Sequence, residues 1–194
     1  MKHSTERILT THVGSLIRPQ EIKDHLLGKI SGDYDAGGHG AALGRTVAEI
    51  VRQQSDTGID VVSDGEFGKG ISWSQYLIER LSGFERRPLS DDAADPYANG
   101  EDRRRFADFY REMDEDDQRA SRGDGGVVKA ETVCTGPITY TGQAELQRDI
   151  DNMKAAMEAV NVTEGFLPVA APASAIPDRR NEYYATDEES VFAL

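Results

Sequence analysis

The stretch IDVVSDGEFGKG, Ile59 to Gly70, decides how the rest of the chain is read. Its first residues, IDVVS, form a short apolar run of the kind that is covered on both faces in a parallel sheet. The run breaks into a glycine-punctuated turn that carries Asp64 and Glu66. Two carboxylates thus stand where a buried strand ends, and in parallel α/β proteins ligands bind beyond the carboxyl ends of the strands.

Working outward, the preceding segment predicts an amphipathic helix. Leu43, Val47, Ile50 and Val51 share one face of a 3.6-residue period, and Gly58 stands where a helix-ending glycine belongs. Before it, SGDYDAGGHG (Ser31 to Gly40) reads as a polar loop, and Arg18-Pro19 opens a shorter helix. Ile8 to Val13 reads as a strand that breaks at Gly14-Ser15. After the acidic turn, SWSQYLIERLSGF reads as a helix, and VVKAETVCTGPITYT as strand-rich. Leu146, Ile150, Met153, Met157 and Val160 mark another helix, and VTEGFLPVAAP one more apolar run. Strands alternating with helices predict an α/β protein with parallel strands.

Glu85 to Gly126 interrupts this order with charged sequence poor in apolar residues, and is expected to be an insertion at about 85–126 in a single domain spanning 1–194. Phe106, Phe109, Tyr110 and Met113 keep helical spacing inside it and predict a docked helix. At the far end, Thr186 and Glu189 have the spacing of a capping box. A helix that starts there and stops at Leu194 is too short to stand alone, so a truncated sequence is expected.

The 194 residues include 35 acidic and 22 basic ones, a net charge of -13, which repels nucleic acid and anionic membrane surfaces. The N-terminus has no apolar signal region, and no run approaches the roughly 18 apolar residues of a membrane span. A cytoplasmic protein is expected. A single cysteine, Cys134, excludes an internal disulfide and any multi-cysteine zinc site made by these residues alone; a buried structural thiol is its expected role.

Asp64 and Glu66, two apart, can grip an ammonium group or carry protons; equally, Asp64 can cap the turn while Glu66 is solvated. In THVGS, Gly14 lets a ligand approach the backbone and Ser15 offers a hydroxyl. His12 can act as a base or be a hydrogen-bonded core residue. His3, His25 and His39 have no metal-ligand spacing and read as surface residues.

In order along the chain, TTHVGSLIRP, RQQSDTGIDVVSDGEFGKGISWSQYL, CTGPITYTGQAELQRDIDNMKAAM and FLPVAAPASAIPDRRNEYY resemble the cobalamin-independent methionine synthase family, in its short single-barrel branch. The resemblance runs from Ile8 to Leu194. It implies a (β/α)8 TIM barrel, of which about the first four βα units are present. It implies transfer of a methyl group from 5-methyltetrahydrofolate, or its polyglutamate, to the sulfur of homocysteine. By the same resemblance Val13, Gly14, Ser15 and Glu66 hold the amino-acid part of homocysteine, with His12 and Asp64 as weaker candidates. A zwitterion needs donors for its carboxylate and an acceptor for its ammonium, and these two motifs offer one of each. Asp64 stands where the long-form enzymes have histidine, and Lys69 where they have arginine.

Family zinc, which makes the homocysteine sulfur a thiolate, is bound by an H-x-C motif, a glutamate and a second cysteine on later strands, and none of these lies here. Half a barrel has open strand edges. It is expected to be marginally stable, self-associating or dependent on a complementary half-barrel. Two other readings stand beside the first: a zinc-dependent thiol alkyltransferase of the same superfamily, such as one acting on coenzyme M, and a non-catalytic half-barrel assembly module.

Overall fold

The computed structural model describes residues 2–69, 73–88, 101–113, 115, 130–175 and 179–194. Helix α1 (Gln20–Ser31) starts directly after Pro19 and ends at left-handed Gly32, whose N–H returns to the carbonyl of Gly28. Helix α2 (Ala36–Asp56) begins inside the glycine-rich stretch expected as a loop. The cause is Asp35, whose carboxylate accepts the N–H of Gly38 at 3.0 Å. A β-carbon at Gly38 would collide with that carboxylate, so glycine makes room for the cap.

The remaining elements are β1 (Val61–Ser63), α3 (Trp73–Ile78), β2 (Phe84–Pro88), α4 (Glu101–Arg105), α5 (107–113) and β3 (Ala130–Cys134). After these come α6 (Gln143–Glu158), β4 (Glu164–Phe166), a 3-10 turn (Pro172–Ala175), β5 (Arg179–Asn181) and α7 (Asp187–Phe192). Strands and helices are mixed as an α/β fold requires, but the described strands form two sheets rather than one continuous parallel one. β1 pairs with β4 in parallel, Val61 opposite Glu164. β3 lies between β2, antiparallel to it, and β5, parallel to it.

The strand expected at Ile8 to Val13 is reduced to one parallel bridge, Thr11 to Val61. Side-chain bonds from Asp60 replace the missing ladder. Its carboxylate takes the Thr10 N–H at 2.9 Å and the Arg7 guanidinium, while the Asp60 and Val61 N–H groups both donate to the Thr10 carbonyl. The Asp60 carbonyl accepts from Thr163 at 2.8 Å, so one residue ties the N-terminal segment, β1 and β4 together. Arg7 and the Thr10 N–H hold the Asp60 carboxyl well below the usual carboxylate range.

The expected periodicities are realised in the core, except that Leu146 at the start of α6 is exposed. Val47 and Val51 of α2, Val62 of β1, and Met153 and Ala156 of α6 form one buried cluster, with Met157 and Val160 against it. Ile22 of α1, Ala42 and Leu43 of α2, and Phe67 of the acidic turn form a second. Cys134 is buried, as expected. The helical stripe in the charged segment behaves differently: Phe106 and Phe109 are more than half exposed, so the predicted docking is not seen among the described residues. Much of that segment, 89–100 and 116–129, lies outside the described residues, as does the expected end of the insertion at about 126, whereas its expected start at 85 falls inside β2, where Glu85 stands opposite Val133 of β3. Thr186 caps α7 by accepting the Glu189 N–H at 3.1 Å; the Glu189 carboxylate reaches back to the Ala185 N–H, one residue before the cap. No helix among the described residues is long and apolar enough to cross a membrane.

His39, expected at the surface, is 3% exposed. It lies in the first turns of α2, stacks on His25 of α1 at 5.4 Å, and bonds through Nδ1 to the Tyr34 hydroxyl at 2.7 Å. Burial pushes it down to about 4, helped by Lys29, His25 and Arg148 and opposed by Glu79. In the unfolded chain the imidazole titrates near 6.5. Between these values the unfolded chain binds the proton and the folded chain does not, so stability falls as pH drops from about 6.5 to 4. Melting temperature is expected to fall over that window. His39→Gln, which keeps an acceptor for Tyr34, should remove the His39 share of the loss, at most roughly 3 kcal/mol.

Candidate functional site

The acidic turn grows out of the buried end of β1. Ser63 Oγ accepts the Gly65 N–H at 3.3 Å, and Asp64 Oδ1 accepts the Glu66 N–H at 3.0 Å. Both bonds tighten the chain into a left-handed bend, with Gly65 at φ 66° and Glu66 at φ 60°. For glutamate that conformation costs about 1–2 kcal/mol, so the surrounding contacts have to hold it. Phe67 does so from below, fully buried against α1 and α2.

Above the turn lies the loop that carries the other expected residues. The Leu16 N–H donates to the Gly65 carbonyl at 3.1 Å, and Ser15 Oγ donates to Glu66 Oε2 at 2.7 Å. Glu66 is only 3% exposed, which rules out the solvated alternative, whereas Ser15 is exposed. Asp64 fulfils the capping alternative while being buried as well. Gly14 has φ 113° with open space around its missing β-carbon, and Val13 projects into solvent. His12 is half-buried, and its Nε2 is enclosed without a hydrogen-bond partner among the described residues. Ser15, Glu66 and Asp64 are therefore brought together, with Gly14 leaving the approach to the backbone open.

The structure adds residues to this set. Lys69 is 5% exposed and its Nζ lies 3.5 Å from Asp64 Oδ1, so the two positions that depart from the long-form pattern form a buried ion pair. Burial pushes the Asp64 carboxyl up and the Lys69 ammonium down, and the attraction between them opposes both shifts. The Lys69 ammonium also faces the ring of Tyr76 on α3. On that ring the Arg80 guanidinium stacks at 3.6 Å, and it pairs with Asp149 of α6 at 3.3 Å. Burial pushes the Tyr76 phenol up. Beneath the turn the charges thus run from the end of β1 to α6, with two cations, Lys69 and Arg80, on the Tyr76 ring and an anion, Asp64 or Asp149, paired with each. Arg80 and Asp149 are 69 positions apart and have no local spacing that would join them, so no sequence signal could have found them.

Among the described residues no group of three or more His, Cys, Asp or Glu is placed to hold a metal ion. Cys134 points its thiol at the Gly136 carbonyl. The zinc implied by the resemblance does not fit the donors described here.

No family model matches the chain. It is 37% identical over 75 residues to the uncharacterized protein YxjH of Bacillus subtilis (strain 168), a match covering 38% of this chain and 19% of that protein. With YxjG of the same strain it shares 36% over 73 residues, with the same coverage. The matched region thus spans about a fifth of these curated relatives. Among solved structures it is similar to a B12-independent methionine synthase from Shewanella sp. W3-18-1 in complex with selenomethionine, at TM-score 0.59 and 14% identity. That likeness covers 95% of this chain and 44% of the other. A proposed vitamin-B12-independent methionine synthase from Listeria monocytogenes gives TM-score 0.56 at 20% identity, covering 96% and 45%. At these identities the likeness is one of fold.

Breaking the buried pair from one side leaves an uncompensated charge, which costs about 3–5 kcal/mol. Lys69→Met is expected to lower stability by about that amount, and Asp64→Asn combined with Lys69→Met to recover a good part of it. Chemical denaturation of the four proteins of the double-mutant cycle measures the coupling. Additive losses would show that the two groups do not act as a pair.

Proposed function

We propose that this chain provides the amino-acid-binding part of a methionine synthase-like methyltransferase, which moves a methyl group from 5-methyltetrahydrofolate, or its polyglutamate, to the sulfur of homocysteine. One observation carries the reading: the Ser15 hydroxyl and the Glu66 carboxylate, 51 positions apart, meet at 2.7 Å at the carboxyl end of a parallel strand. The fold likeness to methionine synthases supports it, and the Shewanella structure is one with selenomethionine bound.

In this reading Glu66 accepts the substrate ammonium, strengthening its interaction in the low-dielectric setting at the strand end. Ser15 turns its hydroxyl from Glu66 toward the substrate carboxylate, and the backbone beside Gly14 admits that carboxylate without a side chain in the way. Asp64, neutralised by Lys69, adds no repulsion to a second carboxylate and leaves Glu66 as the charge that the ammonium meets. Val13 and His12 complete the approach. The zinc that makes the sulfur a thiolate in the family has no donor set among the described residues, so the reading assigns this chain recognition of the substrate and no step through the metal. The same proposal takes homocysteine and a methylfolate as small-molecule partners in the cytoplasm, with self-association or a complementary half-barrel completing the fold.

Calorimetric titration with L-homocysteine and L-methionine tests it. Glu66→Gln removes the charge but keeps the shape, and a hydrogen bond to a charged group is worth about 1.5–3 kcal/mol. The dissociation constants are therefore expected to rise ~10- to 100-fold. Unchanged affinity in Glu66→Gln would sink the proposal and favour a thiol substrate without an ammonium group, such as a thiol sulfonate.

A further inference from the structure

Ser15 and Glu66 belong to separate segments, so something must fix their separation before a ligand arrives. Besides their own hydrogen bond and the Leu16 to Gly65 backbone bond, a guanidinium also crosses between the segments. Arg18 Nη2 donates to the Lys69 carbonyl at 2.9 Å and to the Glu66 carbonyl at 3.3 Å. These two carbonyls bracket the end of the left-handed bend.

The base of Arg18 is itself rigid. A residue before proline is confined to extended conformations, and Pro19 is the N-cap of α1, its carbonyl accepting the N–H groups of Ile22 and Lys23. Ile22 is fully buried against Phe67 in the second core cluster. The turn is therefore held from two sides, by α1 through the contact of Ile22 with Phe67 in the apolar layer, and by Arg18, just before the N-cap of that helix, in the polar one. Glu66 stays in a backbone region unfavourable for its residue type because both contacts would be lost if it relaxed.

We propose that Arg18 is a positioning residue that clamps the Glu66–Lys69 turn to the Ser15 loop and thereby sets where the Glu66 carboxylate meets a ligand ammonium. The inference rests on the amino-acid-binding reading above. Arg18 does not touch the ligand; it acts by holding the backbone of Glu66. A lysine there keeps the charge but not the reach and planar donor geometry that meet both carbonyls.

The test uses the full 194-residue chain as wild type, Arg18→Lys and Arg18→Met, titrated with L-methionine and with its desamino analogue, 4-(methylthio)butanoate. Wild type is expected to favour methionine. Losing one charge-assisted contact that depends on position should weaken methionine ~10- to 100-fold in Arg18→Met, while the analogue, which has no ammonium, changes by less than about 3-fold. Arg18→Lys should fall between the two. Equal weakening of both ligands would make Arg18 an ordinary structural brace and overturn the inference. A wild type that does not distinguish the two ligands would instead overturn the amino-acid-binding reading. Amide hydrogen exchange decides the clamp in that case: Arg18→Met should speed exchange at the Glu66 and Lys69 N–H groups while the α2 amides keep their protection, and unchanged exchange in the turn refutes it.

Discussion

The carboxylate of Asp60 is the constraint on which the rest of the described architecture turns. It is 8% exposed, yet it holds the Arg7 guanidinium, the Thr10 N–H and the Thr10 hydroxyl, while its own carbonyl accepts from the segment that enters β4. A buried carboxylate needs this many donors to remain charged. The consequence is geometric. With Thr10 and Thr11 fixed against β1, the following residues have to run over the end of that strand, and Ser15 reaches Glu66. Asp60 lies one residue before the strand and Asp64 one residue after it, so the same short run of chain is anchored by a carboxylate at either end.

The two carboxylates solve the burial problem differently. Asp60 is satisfied by donors from a segment remote in sequence, and its acid strength is raised. Asp64 is satisfied by a backbone N–H and by Lys69, five residues on in the same turn, and burial still prevails on its acid strength. The difference suits their positions. A joint between segments benefits from a charge that stays fixed over a wide pH range. A carboxylate beside a glutamate proposed to bind the ligand benefits from being cancelled, because two uncompensated charges two residues apart would oppose each other's ionisation.

Much of this was legible in the sequence. The α2 and α6 faces followed from their 3.6-residue spacing, and α7 from its Thr186 cap, since these depend on neighbours within one or two turns. The meeting of Ser15 with Glu66 was anticipated only through the resemblance. Spacing alone could not distinguish a solvated Glu66 from a buried one. Where the reading departed from the structure, a side chain had taken over a backbone role: Asp35 drew a helix into a glycine-rich stretch, and Asp60 replaced a strand's ladder with its own oxygens. The surface reading of His39 missed its burial because its partners, Tyr34 and His25, lie on the preceding loop and helix and carry no metal-ligand spacing. The pairing of Asp64 with Lys69 depends on how the turn folds back on itself; the sequence showed only two departures from one pattern.

The donor chemistry also divides the labour of the proposed reaction. Recognising a zwitterion takes hard oxygen and nitrogen groups held at fixed separations, and these are what the loop and turn provide. Activating a thiol at neutral pH takes a cation that favours the thiolate, and soft ligands suit such a metal. The one thiol in the chain, Cys134, is buried on β3. On the proposed reading the substrate is thus held at its amino-acid end by these residues, while its sulfur needs donors that the described residues do not supply. Binding and activation would then depend on separate parts of the fold. The amino-acid end demands little of those other parts, because Glu66 and Ser15 are braced by α1, β1 and the core beneath Phe67, all of which belong to the residues described.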